Sequence, residues 1–172
     1  MAEDPGTALV DQAVGYALLA MAGLRADALA RATPCRGWDL GTLCAHLAES
    51  LVILRETVTG TPAVRACRPG RDPVAACRTE ALRLARAWPA GGDGARPLAA
   101  VAATEVAVHG WDIARSLGAC RPMPDGLAER LLRAAPALVG GGRAGLFAPP
   151  VAWPPDAPPG ERLLALLGRR PG

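Results

Sequence analysis

Lysine is absent from this chain of 172 residues, and all 19 basic side chains are arginine. Aromatic residues make up only 3% of it, although apolar residues reach 51%. Leucine, alanine and valine must therefore do the packing. The net charge of +3 is spread without a block of one sign, and no basic stripe interleaved with aromatics is present, which argues against a nucleic-acid partner. No apolar run reaches the roughly 18 residues of a membrane-spanning helix. The start, Met1-Ala2-Glu3-Asp4-Pro5, lacks the basic and apolar segments of a signal peptide. These absences point to a cytoplasmic protein with reduced cysteines. The five cysteines, at 35, 44, 67, 77 and 120, form no C-x-x-C pair, so neither a disulfide framework nor a zinc finger is indicated. There is no phosphate-binding glycine loop after a strand, because Gly140-Gly141-Gly142 follows a helical pattern. There is no Gly-x-Ser-x-Gly elbow, and neither histidine has an obvious serine partner.

What is present is helix-forming. Alanine and leucine favour helices and β-branched runs are few, so an all-α fold is expected. Asp4-Pro5 reads as a cap followed by proline at the first helical position. The first helix then extends to about Leu24, with Leu9, Val14, Leu18 and Met21 available for burial. Asp39 caps a second helix whose Leu40, Leu43, Leu47, Leu51 and Leu54 recur at three- and four-residue steps. A polar loop over 65–72 leads to a third helix, Pro73 to Trp88, broken by Pro89 and the following glycines. A fourth runs from about Pro97 to Leu117, and a weaker one from Asp125 to Leu138. Four substantial helices joined by modest loops make a bundle. The stretch Ala148 to Pro155 must be extended because its prolines forbid helix. A short helix from Pro159 to Leu167 follows. The extended stretch reads as a strap over the bundle anchored by Phe147 and Trp153; a disordered linker is the alternative. The whole chain, 1–172, reads as one domain, with the bundle at about 4–140 and the strap and last helix at about 141–172.

The two histidines carry the chemistry. Glu105 precedes His109 by four residues, so the carboxylate and imidazole share a helical face. His46, on the second helix, would complete a two-His, one-carboxylate set with open coordination positions, as a catalytic metal requires. A solvated i,i+4 couple and a satisfied core histidine are the alternatives. Two features favour the metal. Glu105 and His109 fall in the apolar register of Leu98, Ala102, Val106 and Ile113, where a carboxylate is costly unless paired or metal-bound. Asp112 extends the same face and is placed to hydrogen-bond a ligand. Glu49 stands in the same relation to His46, with an exposed helix charge as its other reading. Cys44 lies roughly 200° around the helix from His46 and belongs to the core. Cys35 is in a turn with nothing to support reactivity, and Cys67, Cys77 and Cys120 have no neighbour to activate them.

Thr33-Pro34-Cys35-x-Gly37-Trp38-Asp39-Leu40-x-x-Leu43-x-Ala45-His46-Leu47 resembles a segment of the mycothiol-dependent maleylpyruvate isomerase N-terminal family, within the DinB-like four-helix-bundle metalloenzymes. Glu105-x-x-x-His109-Gly110-Trp111-Asp112, with Ala114-Arg115-x-Leu117-Gly118, resembles its second block. Phe147-x-x-Pro150-Val151, with Arg162 to Pro171, resembles the close of a short single-domain branch. The resemblance implies a DinB-like bundle and a divalent metal, usually zinc, held at His46, Glu105 and His109. It also implies mycothiol as cosubstrate. Unlike the founding isomerases, the chain stops soon after the bundle, which weakens the case for maleylpyruvate as substrate. The expectation is a metal-dependent enzyme, a thiol-dependent isomerase or S-transferase acting on a small electrophile, with Asp112 orienting His109 or relaying a proton. A thiol-independent metal enzyme tailoring secondary metabolites and a non-catalytic binding bundle are the alternatives. The sequence names neither the substrate nor the oligomeric state, although bundles of this kind often pair helices across a dimer and a homodimer is one option.

Overall fold

The computed structural model describes residues 4–62, 72–140 and 147–172. Most of the loop expected over 65–72, Cys67 and all but the first residue of the glycine run at 140–142 lie outside them. The expected all-α architecture is observed: among the described residues there is no strand, only an isolated antiparallel bridge between Ala32 and Asp39. The chain divides into two compact units, Met1–Arg121 and Pro122–Gly172.

The first unit holds α1 (Pro5–Ala20), α2 (Leu40–Thr59), α3 (Pro73–Ala87) and α4 (Ala99–Ser116). Local chemistry sets their starts. Asp4 accepts from the backbone N–H groups of Gly6 and Thr7, Asp39 from Thr42 and Asp72 from Val74, so each carboxylate satisfies otherwise unpaired donors of the first turn. Gly60 closes α2 in the left-handed conformation at φ 65°. The break after α3 is not an open loop. Residues Trp88–Leu98 form three short helical turns, with Trp88 buried.

Helix α1 packs on α4 and α2 on α3, while α2–α4 and α1–α3 contacts close the ring. Leu40, Leu43, Leu47 and Leu51 are fully buried on one stripe of α2, each contributing about 1.5–3 kcal/mol. Leu18 and Leu54 are only half-buried. Gly110 lets α1 and α4 approach closely: a Cβ there would lie 3.0 Å from the Ala17 Cα and 3.1 Å from its Cβ. The polar interior includes an ion cluster that hydrophobic periodicity does not reveal. Glu80 on α3 is 0% exposed and is held by Arg55 of α2 at 3.2 Å and Arg83 at 2.7 Å.

The second unit holds α5 (Asp125–Gly140) and α6 (Pro159–Leu166), which pack together. Residues 148–154 of the proline-rich segment carry no helix, as expected, with a turn at Pro155, and within this unit the segment bonds to α6. Val151 N–H donates to the Ala165 carbonyl at 2.9 Å, and Trp153 Nε1 donates to Glu161 at 2.9 Å.

Candidate metal centre

Helix α4 presents Glu105, His109 and Asp112 at steps of four and three residues, and α2 brings His46 opposite them. Glu105 Oε1 lies 3.2 Å from His46 Nε2 and 3.5 Å from His109 Nε2. Both imidazoles thus address the same carboxylate oxygen through the same ring atom. The rings of His46 and His109 are 5.3 Å apart and nearly perpendicular. One donor atom from each of the three residues fits within 4.8 Å of the other two. A tetrahedral ion with bonds of about 2.0–2.1 Å separates its ligand atoms by about 3.3 Å, so separations of 3.2 and 3.5 Å suit a common ion. Solvent access is graded, with side-chain exposures of 39% for His46, 26% for Glu105 and 9% for His109. The open edge of the cluster is therefore at His46.

The other face of His109 is tied down. Its Nδ1 lies 3.0 Å from Asp112 Oδ2, and Asp112 is fully buried. A carboxylate accepts from the imidazole Nδ1–H, which turns Nε2 toward Glu105 and His46 and makes it the lone-pair nitrogen once the ring is neutral. That tautomer is the one a metal ligand needs. Burial pushes the nearby Tyr16 phenol up; the Arg121 charge opposes this and the Asp112 charge adds to it. The Tyr16 hydroxyl donates to the Arg121 carbonyl at 2.9 Å.

Burial alone would raise the Glu105 carboxyl. The hydrogen bond from His46, the His109 charge and a hydrogen bond from Ser50 outweigh it and draw the group down to about 2. Glu105 is therefore anionic at neutral pH. The hydrogen bond to Glu105 raises His46 above its ordinary 6.5, against partial burial and with help from the Glu105 and Glu49 charges. An anion between two imidazoles is a ready acceptor for a cation.

The structure brings together all four residues singled out in the sequence: His46, Glu105, His109 and Asp112. Glu49 is exposed and reaches His46 through its charge. Cys44 is core, and burial pushes its thiol up to about 12. Cys77 is buried and Cys120 exposed. Three further residues join the site. Ser50 stands one helical turn after His46 on the same face of α2, a spacing that could have been noticed. Trp38 places its ring 4.7 Å from that of His46. Cys35 brings its sulfur within 3.3 Å of Asp112 Oδ2. The Cys35–Asp112 contact spans 77 residues of sequence, and no local spacing signals it.

No helix among the described residues is long and apolar enough to cross a membrane. Two uncharacterized proteins of Mycobacterium tuberculosis, one from strain CDC 1551 and one from strain H37Rv, are similar to this chain. Each is 32% identical over 168 residues, covering 87% of this chain and 89% of the relative. No solved structure matches. Residues 10–114, which contain α2, most of α1 and α4, and all four candidate site residues, match the mycothiol maleylpyruvate isomerase N-terminal domain. The chain belongs to that family.

Proposed function

We propose that this chain is a divalent-metal enzyme, with zinc the expected ion. It would act on a small electrophilic metabolite with a low-molecular-weight thiol, mycothiol by family, as an isomerase or S-transferase. The observation that carries this reading is the convergence of His46 Nε2 and His109 Nε2 on one oxygen of an ionised Glu105. His46, Glu105 and His109 would hold the ion and leave coordination positions free. A bound divalent ion lowers the pKa of a coordinated thiol and supplies thiolate at neutral pH.

The protein's own groups supply the rest. Asp112, 3.0 Å from His109 Nδ1, would keep the proton there and, in the neutral ring, leave the lone pair on Nε2. Ser50 steadies the Glu105 carboxylate. The Trp38 ring lies against His46 at the more exposed edge, where a small substrate and its thiol would enter. The buried side of the cluster, formed by His109 and Asp112, keeps water from the imidazole that donates most deeply.

Elemental mass spectrometry on the wild type and on folded His109→Ala tests the reading, followed by calorimetry with mycothiol on metal-loaded and metal-free protein. Near one ion per chain, lost in the variant, with thiol binding only to the loaded form, supports it. An ion without thiol binding would favour a thiol-independent metal enzyme. No ion in the wild type after reconstitution would overturn both.

A further inference from the structure

The turn before α2 touches His46 and Asp112, and its cysteine has no part in the function proposed above. Its backbone is locked locally. The N–H of Cys35 donates to Thr33 Oγ1 at 3.1 Å, and that hydroxyl reaches the Trp38 carbonyl at 2.9 Å. The N–H of Trp38 donates to the Cys35 carbonyl at 3.0 Å and that of Thr33 to the Trp38 carbonyl at 3.1 Å. Gly37 supplies the left-handed residue at φ 81° that this reversal needs. Cys35 and Trp38 are thus fixed relative to each other before either meets α4 or α2. The sulfur then reaches Asp112 and the indole reaches His46.

We propose that Cys35 is a positioning residue: its thiol pins the Asp112 carboxylate that holds His109 in the Nδ1-protonated tautomer. The proposal rests on the reading of His109 as a metal ligand. Asp112 Oδ2 lies 3.3 Å from the sulfur and 3.0 Å from His109 Nδ1, so one oxygen serves both groups. A carboxylate only accepts, so both neighbours must donate, the thiol through S–H and the imidazole through Nδ1–H. A thiolate at Cys35 would instead face a like charge at contact distance. This assigns the thiol a structural bond and leaves the reactive sulfur to an external thiol. Terminal carboxylate torsions are broad, so losing this donor lets Asp112 turn and loosens His109.

The test compares Cys35→Ala, Cys35→Ser, Asp112→Ala and the Cys35→Ala/Asp112→Ala double variant, each first checked for cooperative unfolding. Zinc affinity is read by chelator competition, and the His109 tautomer by proton–nitrogen correlation NMR on zinc-free protein in alkaline buffer. Outer partners of metal-bound histidines typically contribute 10–100-fold in affinity. Cys35→Ala is expected to weaken zinc by about tenfold and to lower the Nδ1-protonated population. Cys35→Ser, which keeps a donor, should restore most of both. In the Asp112→Ala background, Cys35→Ala should add nothing. An unchanged tautomer in Cys35→Ala, or additive losses in the double variant, would overturn the proposal. So would a sulfur-to-cobalt charge-transfer band in cobalt-loaded wild type that Cys35→Ala abolishes, since the thiol would then be a ligand. If the wild type binds no zinc, the metal reading falls, and the tautomer measurement still decides the role of Cys35.

Discussion

The carboxylate of Asp112 and the Nδ1 of His109 lie 3.0 Å apart, with no solvent at the carboxylate. A carboxylate at this position favours the proton on Nδ1, which in a neutral ring leaves the lone pair on Nε2, the side that faces Glu105. Asp112→Ala is therefore expected to weaken divalent-metal binding by about 10–100-fold without removing any ligand. Chelator competition on the folded variant measures this. Affinity equal to wild type would show that Asp112 does not set the tautomer.

Protons compete with the ion at His46. The hydrogen bond to Glu105 raises this imidazole above 6.5 in the metal-free protein, and only neutral imidazole ligates. Glu105, drawn down to about 2, stays ionised over the whole working range. Apparent metal affinity should thus fall as pH falls, beginning above 6.5, at about tenfold per pH unit for one displaced proton. Competition titrations across that range give the slope. A flat profile down to about pH 5 would remove His46 from the ligand set.

At Gly110 two effects of opposite sign compete. Replacing it by alanine gains about 1 kcal/mol of helix propensity. The added Cβ meets the Ala17 Cα at 3.0 Å, and backbone cannot yield as a flexible side chain does, so overpacking costs about 1–3 kcal/mol. Gly110→Ala should destabilise by about 1 kcal/mol net, read from denaturant unfolding. A stabilised variant would mean that α1 and α4 separate freely.

Glu80 joins α3 to α2 through Arg55, whose Nε is buried without a hydrogen-bond partner. Glu80→Gln keeps the shape and leaves the guanidinium uncompensated, at a cost of about 3 kcal/mol. Arg83, half exposed, can turn to water. Replacing both members, Arg55→Met with Glu80→Leu, should cost less than Glu80→Gln alone, because apolar packing takes over from a desolvated pair. Thermal unfolding of the two variants compares them directly, and the reverse order would show that the cluster contributes net stability.

The helices were legible because their signals are local. Asp4-Pro5 and Asp39 each place a cap beside the residues it serves; Asp72, read with the loop, proves to cap α3 in the same way. The leucine stripe of α2 repeats within one helix, and Gly60 ends it. The break at Pro89 was legible as a break, but its three short helical turns were not, because the packing of Trp88 chooses among conformations that proline and glycine both permit.

Within the site, the sequence by itself determined one face of α4. Glu105, His109 and Asp112 align because helical geometry alone puts side chains three and four residues apart on one side. His46 was recognisable beside its motif, but its approach to Glu105 within 3.2 Å is made by α2 packing on α4. Tertiary structure alone decided the rest. It brought Ser50 to Glu105, the Cys35 thiol to Asp112, the Trp38 ring to His46 and Glu80 into the interior with Arg55. The physical reason is that periodicity and caps report bonds closed within a few residues. A contact across 77 residues exists only once four helices have buried their stripes and fixed which faces meet.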